Sequence, residues 1–172
     1  GGTDGLCYGY ENKTVKDADG YDLFEPLRKV DCNEPNYRKD KEGKKIPYAT
    51  PPGPSELIGT PVLYEGKVYC AIGQDPEHGD GVGRLSCMDA ETGKVIWKYT
   101  DVGRTISTVS IADDLVYIAE YAGIIHCLDA NSGKVYWTHD SFSRIWGSTL
   151  VVDGKLILGN EDGDLLVMNH GK

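Results

Sequence analysis

The chain reads as all-β, a partial β-propeller of four-stranded antiparallel blades, on three features of its sequence. Residues 87–97 return forty positions later as residues 127–137: Asp89-Ala90-Glu91-Thr92-Gly93-Lys94 with Trp97 is echoed by Asp129-Ala130-Asn131-Ser132-Gly133-Lys134 with Trp137. Residues 59–69, 107–117 and 147–157 each read as an apolar strand, a two-residue turn and a second apolar strand. The turns are Glu65-Gly66, Asp113-Asp114 and Asp153-Gly154, short polar pairs whose positive φ matches the twist of the strands they join. A period near forty with strand-like contents is what propeller blades show.

Taken in order, residues 1–33 read as the second half of a degenerate blade. Residues 12–25 are an insertion where the Thr-Gly-Lys turn should be, and Arg28 stands in the register of the tryptophan. The Asn12-Lys13-Thr14 triplet is a glycosylation sequon of a kind frequent by chance and carries no argument. Residues 34–54, with Pro35, Pro47, Pro51, Pro52 and Pro54, read as a long Pro-rich connection, a length that usually means function or a wandering loop. Residues 55–104 form a full blade, with third and fourth strands at 84–88 and 94–99, and residues 105–145 form a second, with strands at 124–128 and 134–139. Residues 146–172 read as an incomplete blade whose third strand is 164–168. The expectation is a piece of a larger propeller, truncated or completed by another chain.

The repeated turn has a mechanical reason for its spacing. Asp89 and Asp129 accept hydrogen bonds from turn amides, Thr92 and Ser132 do so locally, and Gly93 and Gly133 take the left-handed conformation that closes the hairpin. Each turn delivers an indole, Trp97 or Trp137, to a fixed place as a peg between neighbouring blades. An indole there buries much apolar area and needs a partner for its N–H.

At these residues the chain resembles the pyrroloquinoline-quinone (PQQ-like) repeat family, whose tryptophan-docking motif reads Ala-x-Asp-x-x-x-Gly-x-x-x-Trp. Both copies fit, with Cys87 and Cys127 in the small-residue position. The resemblance covers residues 55–172 and extends to secreted repeat proteins of planctomycete-like bacteria. It implies a periplasmic or extracellular location, and a PQQ cofactor with calcium in those members that are dehydrogenases.

Composition bounds the rest. In 172 residues, 40% apolar content against 26% charged places the chain among globular proteins with a sizeable core. A net charge of −9 argues against nucleic acid as a partner, because phosphate binding draws on clustered cations. The basic cluster Arg38-Lys39-Asp40-Lys41 with Lys44-Lys45 is interrupted by acids and reads as a solvated loop. No apolar run reaches the roughly 18 residues of a membrane-spanning helix. Cys7, Cys32, Cys70, Cys87 and Cys127 are odd in number and lack a CxxC spacing, which excludes a fully paired framework and disfavours zinc.

In a propeller, the loops between strands two and three and those leading to the next blade share one face. Here these are residues 74–82, 120–122, 160–162, 100–106 and 140–146. Arg104 and Arg144 occupy equivalent positions there, and with Trp146 they are candidates to line a channel for an anionic or planar ligand. Pairing with Asp101, Asp140 or Glu120 is the alternative. Asp75, Glu77 and Asp80 are candidate oxygen ligands for calcium, against a solvated loop in which His78 makes a local hydrogen bond. Cys87 and Cys127 read as small core residues, and His126 faces the opposite side of its strand from Cys127.

Two functions follow from the resemblance: a non-enzymatic binding or assembly scaffold of the cell envelope, with other proteins or the missing part of the propeller as partner, or part of a quinoprotein alcohol or sugar dehydrogenase. Such dehydrogenases carry two adjacent cysteines over the cofactor, and no two cysteines are adjacent here. The scaffold is the preferred reading. A carbohydrate-binding or hydrolytic propeller, resting on aromatic and acidic residues at the mouth, is a third.

Overall fold

Glu65-Gly66, Asp113-Asp114 and Asp153-Gly154 all take left-handed backbone, with φ of 47° and 73°, 48° and 59°, and 48° and 67°. Each pair therefore reverses the chain within two residues and starts a blade. The computed structural model describes residues 2–47 and 53–172; the part of the Pro-rich connection that contains Pro51 and Pro52 lies outside the described residues.

Strands β1 (Leu6–Tyr10) and β4 (Pro26–Asp31) pair antiparallel, and the insertion between them carries a small hairpin of β2 (Val15–Lys16) and β3 (Asp22–Leu23). A four-stranded sheet follows from β5 (Val62–Tyr64), β6 (Lys67–Ile72), β7 (Arg84–Asp89) and β8 (Val95–Tyr99), in that order. A second comprises β9 (Ser110–Ala112), β10 (Leu115–Ala119), β11 (Ile124–Asp129) and β12 (Val135–Asp140). The last sheet has three strands, β13 (Leu150–Val152), β14 (Lys155–Gly159) and β15 (Leu165–Asn169). Every pairing is antiparallel between strands consecutive within the blade, so the fold is the β-propeller that the repeat predicts. Among the described residues, no helix is long and apolar enough to cross a membrane.

Both faces of β6, β7, β10 and β11 are largely buried, because these two blades are packed against neighbours, whereas Leu150, Val152, Leu165 and Val167 leave one face of the last sheet exposed. Alternation sorts the side chains. Tyr69, Ala71, Leu85 and Cys87 leave one face of the first full blade and meet Val116, Ile118 and Leu128 of the next. Tyr117, Ala119, Ile125 and Cys127 leave the other face of that blade and meet Leu156 and Leu158. Cys70, Ile72 and Met88 turn back toward Cys7 and Cys32 of the β1/β4 side.

The boundaries are closed at two radii. Near the axis, the backbone N–H of Thr60 donates to Thr108 Oγ1 and that of Thr108 donates to Ser148 Oγ, each at 2.9 Å. Farther out, Trp97 Nε1 donates to the Ala130 carbonyl at 2.9 Å, as does the Tyr69 hydroxyl at 3.0 Å. Trp137 Nε1 donates to the Gly171 carbonyl at 2.9 Å. At the boundary before the first full blade, Arg28 Nη1 reaches the Ala90 carbonyl at 3.4 Å.

The turns that carry the Ala130 and Ala90 carbonyls are themselves tightly bonded. Asp129 Oδ1 accepts from the N–H groups of Asn131 and Ser132 at 3.1 and 2.8 Å and from the Ser132 hydroxyl at 2.8 Å. Asp89 does the same with Glu91 and Thr92 at 3.1, 2.7 and 2.7 Å. Gly133 (φ 72°) lies flat under the indole: a Cβ there would stand 2.7 Å from Trp97 Cε3.

Replacing Trp97 by Ala is expected to cost about 3–5 kcal/mol in urea unfolding, as for a fully buried large aromatic. Trp137→Ala costs less, because that indole is only partly buried. Gly133→Ala adds both a left-handed strain and a clash, and is expected to destabilise by more than about 1 kcal/mol.

The Asp129 carboxyl lies below its ordinary value of 3.8 because Ser132 and Tyr136 donate to it. A group depressed by folding stabilises above its unfolded pKa and loses that contribution as pH falls through the folded pKa. The stability difference between the wild type and Asp129→Asn is thus expected to be constant above about pH 5 and to shrink below pH 4, as read by urea unfolding across that range.

Candidate functional site

The loops expected to share one face meet around a residue that the sequence did not single out, Tyr121. Its N–H donates to the Arg104 carbonyl at 2.8 Å and its carbonyl accepts from the Ile145 N–H at 3.2 Å, so it ties two blade-to-blade crossings together. The Arg104 guanidinium lies over the Tyr121 ring at 4.3 Å from the centroid, and that of Arg144 at 5.5 Å. Trp146 meets the same ring edge to face, with centroids 5.0 Å apart and planes at 87°. Tyr121 is buried, whereas Trp146 is 51% exposed and Phe142, four residues before it, 89% exposed.

The two arginines pair with acids other than those expected from sequence. Arg104 Nη1 donates to the Gly79 carbonyl at 2.5 Å and stands 3.8 Å from Asp80, while Arg144 stands 3.8 Å from Glu161. Glu120 is turned inward: it accepts from the Gly103 N–H at 2.7 Å and holds His126 Nε2 at 2.7 Å, and His126 Nδ1 meets the Tyr99 hydroxyl at 3.0 Å. This buried Glu120-His126-Tyr99 chain fastens two blades beneath the mouth. His126 faces away from Cys127, as the alternation requires.

The 74–82 loop is held from below by polar groups that were also unforeseen. Asn33 and Ser55 exchange hydrogen bonds at 2.9 and 2.8 Å, Ser55 Oγ accepts from the Val82 N–H at 2.8 Å, and Glu56 accepts from the Asp75 N–H at 3.2 Å. The structure does not gather Asp75, Glu77 and Asp80. Asp75 caps the short 3-10 turn Pro76–His78 through the Glu77 N–H at 2.9 Å, and Asp80 extends into solvent beside Arg104. Among the described residues, no group of three or more His, Cys, Asp or Glu is arranged to hold a metal ion.

Deeper on the first full blade, buried Arg84 pairs with Glu34, which also accepts from Lys98 Nζ at 2.8 Å; Arg84 Nε and Nη2 have no hydrogen-bond partner among the described residues. The basic cluster is not wholly solvated: Arg38 binds Asp31 through Nε at 2.8 Å and the Asp4 carbonyl through Nη2 at 2.6 Å, pinning the connection to the first sheet.

Fold and repeats together define the class, a PQQ-like β-propeller protein. Residues 81–172 match the family model described as outer membrane protein assembly factor BamB, more than half of the chain, and the chain belongs to that family. Among solved structures it is similar to BamB from Moraxella catarrhalis, with 21% identity and a TM-score of 0.56 over 67% of this chain and 34% of that one. It is similar also to the quinohemoprotein alcohol dehydrogenase ADHIIG from Pseudomonas putida HK5, with 22% identity and a TM-score of 0.55 over 67% of this chain and 19% of that one. The enzyme of the same kind from Comamonas testosteroni matches at 23% identity and a TM-score of 0.55, over 66% and 19% of the two chains. The chain thus spans about a third of the BamB structure and a fifth of each dehydrogenase. No curated protein matches it.

Cation–π contacts contribute about 0.5–1 kcal/mol each where exposed and more where desolvated. Tyr121→Leu, which keeps apolar volume but removes the ring face, is expected to free Trp146 and raise acrylamide quenching of the tryptophan emission. Quenching equal to that of the wild type would show that the ring does not hold the indole.

Proposed function

We propose that this chain is part of a non-enzymatic binding propeller of the bacterial cell envelope that holds a protein partner at the mouth around Tyr121. The observation that carries this reading is a half-exposed indole, Trp146, seated on a buried tyrosine between two arginines. Trp, Tyr and Arg are the side chains that dominate binding energy at protein interfaces, and anchors fixed before binding lose little entropy in the complex. Backbone hydrogen bonds fix the loops that carry them, from the Tyr121 N–H to the Arg104 carbonyl, from the Ile145 N–H to the Tyr121 carbonyl and from the Glu161 N–H to the Arg144 carbonyl. Arg104 and Arg144 stand 3.8 Å from the acids Asp80 and Glu161, loose pairs that a partner segment bearing carboxylates would exchange for charge-assisted bonds to the guanidinium forks. The role in the name of the BamB family, assembly of outer membrane proteins, agrees with an envelope location and with protein partners.

Among the described residues, no group of three or more His, Cys, Asp or Glu is gathered to hold the calcium expected beside a quinone. Carboxylates at the mouth are dispersed as counter-ions, and Cys87 and Cys127 are buried on separate blades. PQQ and calcium would have to be held by other parts of a larger propeller.

A photo-crosslinking side chain at Phe142, in the protein expressed in its native envelope, is expected to capture one discrete protein partner. Arg144→Glu should reduce that product roughly tenfold, the effect of losing about 1.4 kcal/mol. A quinone absorption band in protein isolated from its native source, with no crosslinked product, would contradict the proposal and favour the dehydrogenase.

A further inference from the structure

One blade boundary lacks the indole, and three thiols gather there. Between the β1/β4 sheet and the β5 to β8 blade, Arg28 occupies the place that Trp97 and Trp137 take at the later boundaries, and its bond to the Ala90 carbonyl is long at 3.4 Å. A cavity of about 200 Å³ remains, lined among others by Cys7, Arg28, Val30, Val68, Met88 and Gly93. On this boundary Cys7 of β1, Cys32 just beyond β4 and Cys70 of β6 are all buried in one apolar cluster. Cys70 Sγ lies 3.4 Å from Cys7 Sγ. Cys87 and Cys127 sit elsewhere, each beside a tyrosine on the opposite face of its blade.

We propose that Cys7 and Cys70 are a disulfide-forming pair, closed by thiol–disulfide exchange, that covalently fastens the boundary at which the tryptophan peg is missing. The sulfurs already lie 3.4 Å apart across two separate sheets, against the disulfide length of about 2.05 Å. The two strands are sixty-three residues apart in sequence, so the bond closes a long loop and restricts the unfolded chain strongly.

The chemistry assigns an order. Cys7 borders the cavity, and the hydrogen bond donated by Cys70 brings its thiol down to about 7, which makes it the attacking thiolate. It displaces one thiolate from an external disulfide, small or protein-borne, and forms a mixed disulfide. Cys70, whose own ionisation is pushed up by its contacts with Cys32 and Cys7 and by burial, then loses its proton to the departing group and attacks Cys7 Sγ. The second donor thiol leaves. Two chain thiols lose two electrons and two protons in total, and the donor disulfide becomes two thiols. Such a bond persists in an oxidising compartment.

The test is a thiol count and linkage map on the intact reduced chain after equilibration with oxidised glutathione. The expected result is a loss of two hydrogen atoms in mass, a fall from five free thiols to three, and a peptide linking Cys7 to Cys70. Reduction should then lower the melting temperature by about 5–10 °C. Cys32→Ser should leave the link in place and Cys70→Ser should abolish it; if the latter fails to fold, the map of the unaltered chain decides. Five thiols persisting, glutathione adducts without an internal link, or a link made through Cys32 would each overturn the proposal.

Discussion

Two blade boundaries in this protein turn on one donor reaching one carbonyl: the indole N–H of Trp97 on Ala130 and that of Trp137 on Gly171. A buried N–H without a partner costs on the order of 1–3 kcal/mol, so the large apolar ring can be used as a wedge only where a carbonyl waits. For Trp97 the Asp-x-x-Ser/Thr-Gly turn supplies it, through the Ala130 carbonyl. The turn at Asp129 to Gly133 receives the ring of the preceding blade on its glycine and launches the strand that carries its own tryptophan to the next boundary. Seating one indole and aiming the next are therefore the same local structure, and the blades cannot be tilted independently.

That coupling is what lends the mouth its rigidity. Tyr121 sits directly between two crossings, bonded through its backbone to Arg104 on one side and Ile145 on the other, and the buried Glu120-His126-Tyr99 chain lies under it. Loops on a fixed scaffold present side chains at little entropic cost, which is why an exposed Trp146 can be held against a ring rather than left to sample solvent. The 74–82 loop is likewise held by Asn33, Ser55 and Glu56 from an earlier part of the chain.

What repeats is what the sequence makes legible. Strands, two-residue turns and the paired Asp and Trp positions recur at forty residues and could be read by laying the chain on itself; third and fourth strands moved by one residue at an end, as with Leu165–Asn169 for the expected 164–168, while the first strands begin three residues late, at Val62, Ser110 and Leu150. Arg104 and Arg144 stood out for the same reason. Tyr121 did not, because its counterpart forty positions on is Glu161, and a residue that occurs once gives no self-comparison signal. Ion partners were also misread: proximity in sequence pointed to Asp101 and Asp140, whereas the acids near the arginines, Asp80 and Glu161, come from the loops that enter the mouth within other strand connections. The thiols of Cys7, Cys32 and Cys70 are brought together by face-to-face packing of two sheets, and no spacing along the chain encodes that.

The indole N–H bonds hold the later blade boundaries together, and hydrogen exchange of the three tryptophan side chains tests them most directly. By ¹H–¹⁵N NMR in deuterated water, the Trp97 indole proton should exchange with the slowest backbone amides, while that of Trp146 at the mouth should be lost at once. If the Trp97 proton exchanged as fast as that of Trp146 under conditions where the β6 and β10 amides stay protected, the blades would be held by something other than these pegs.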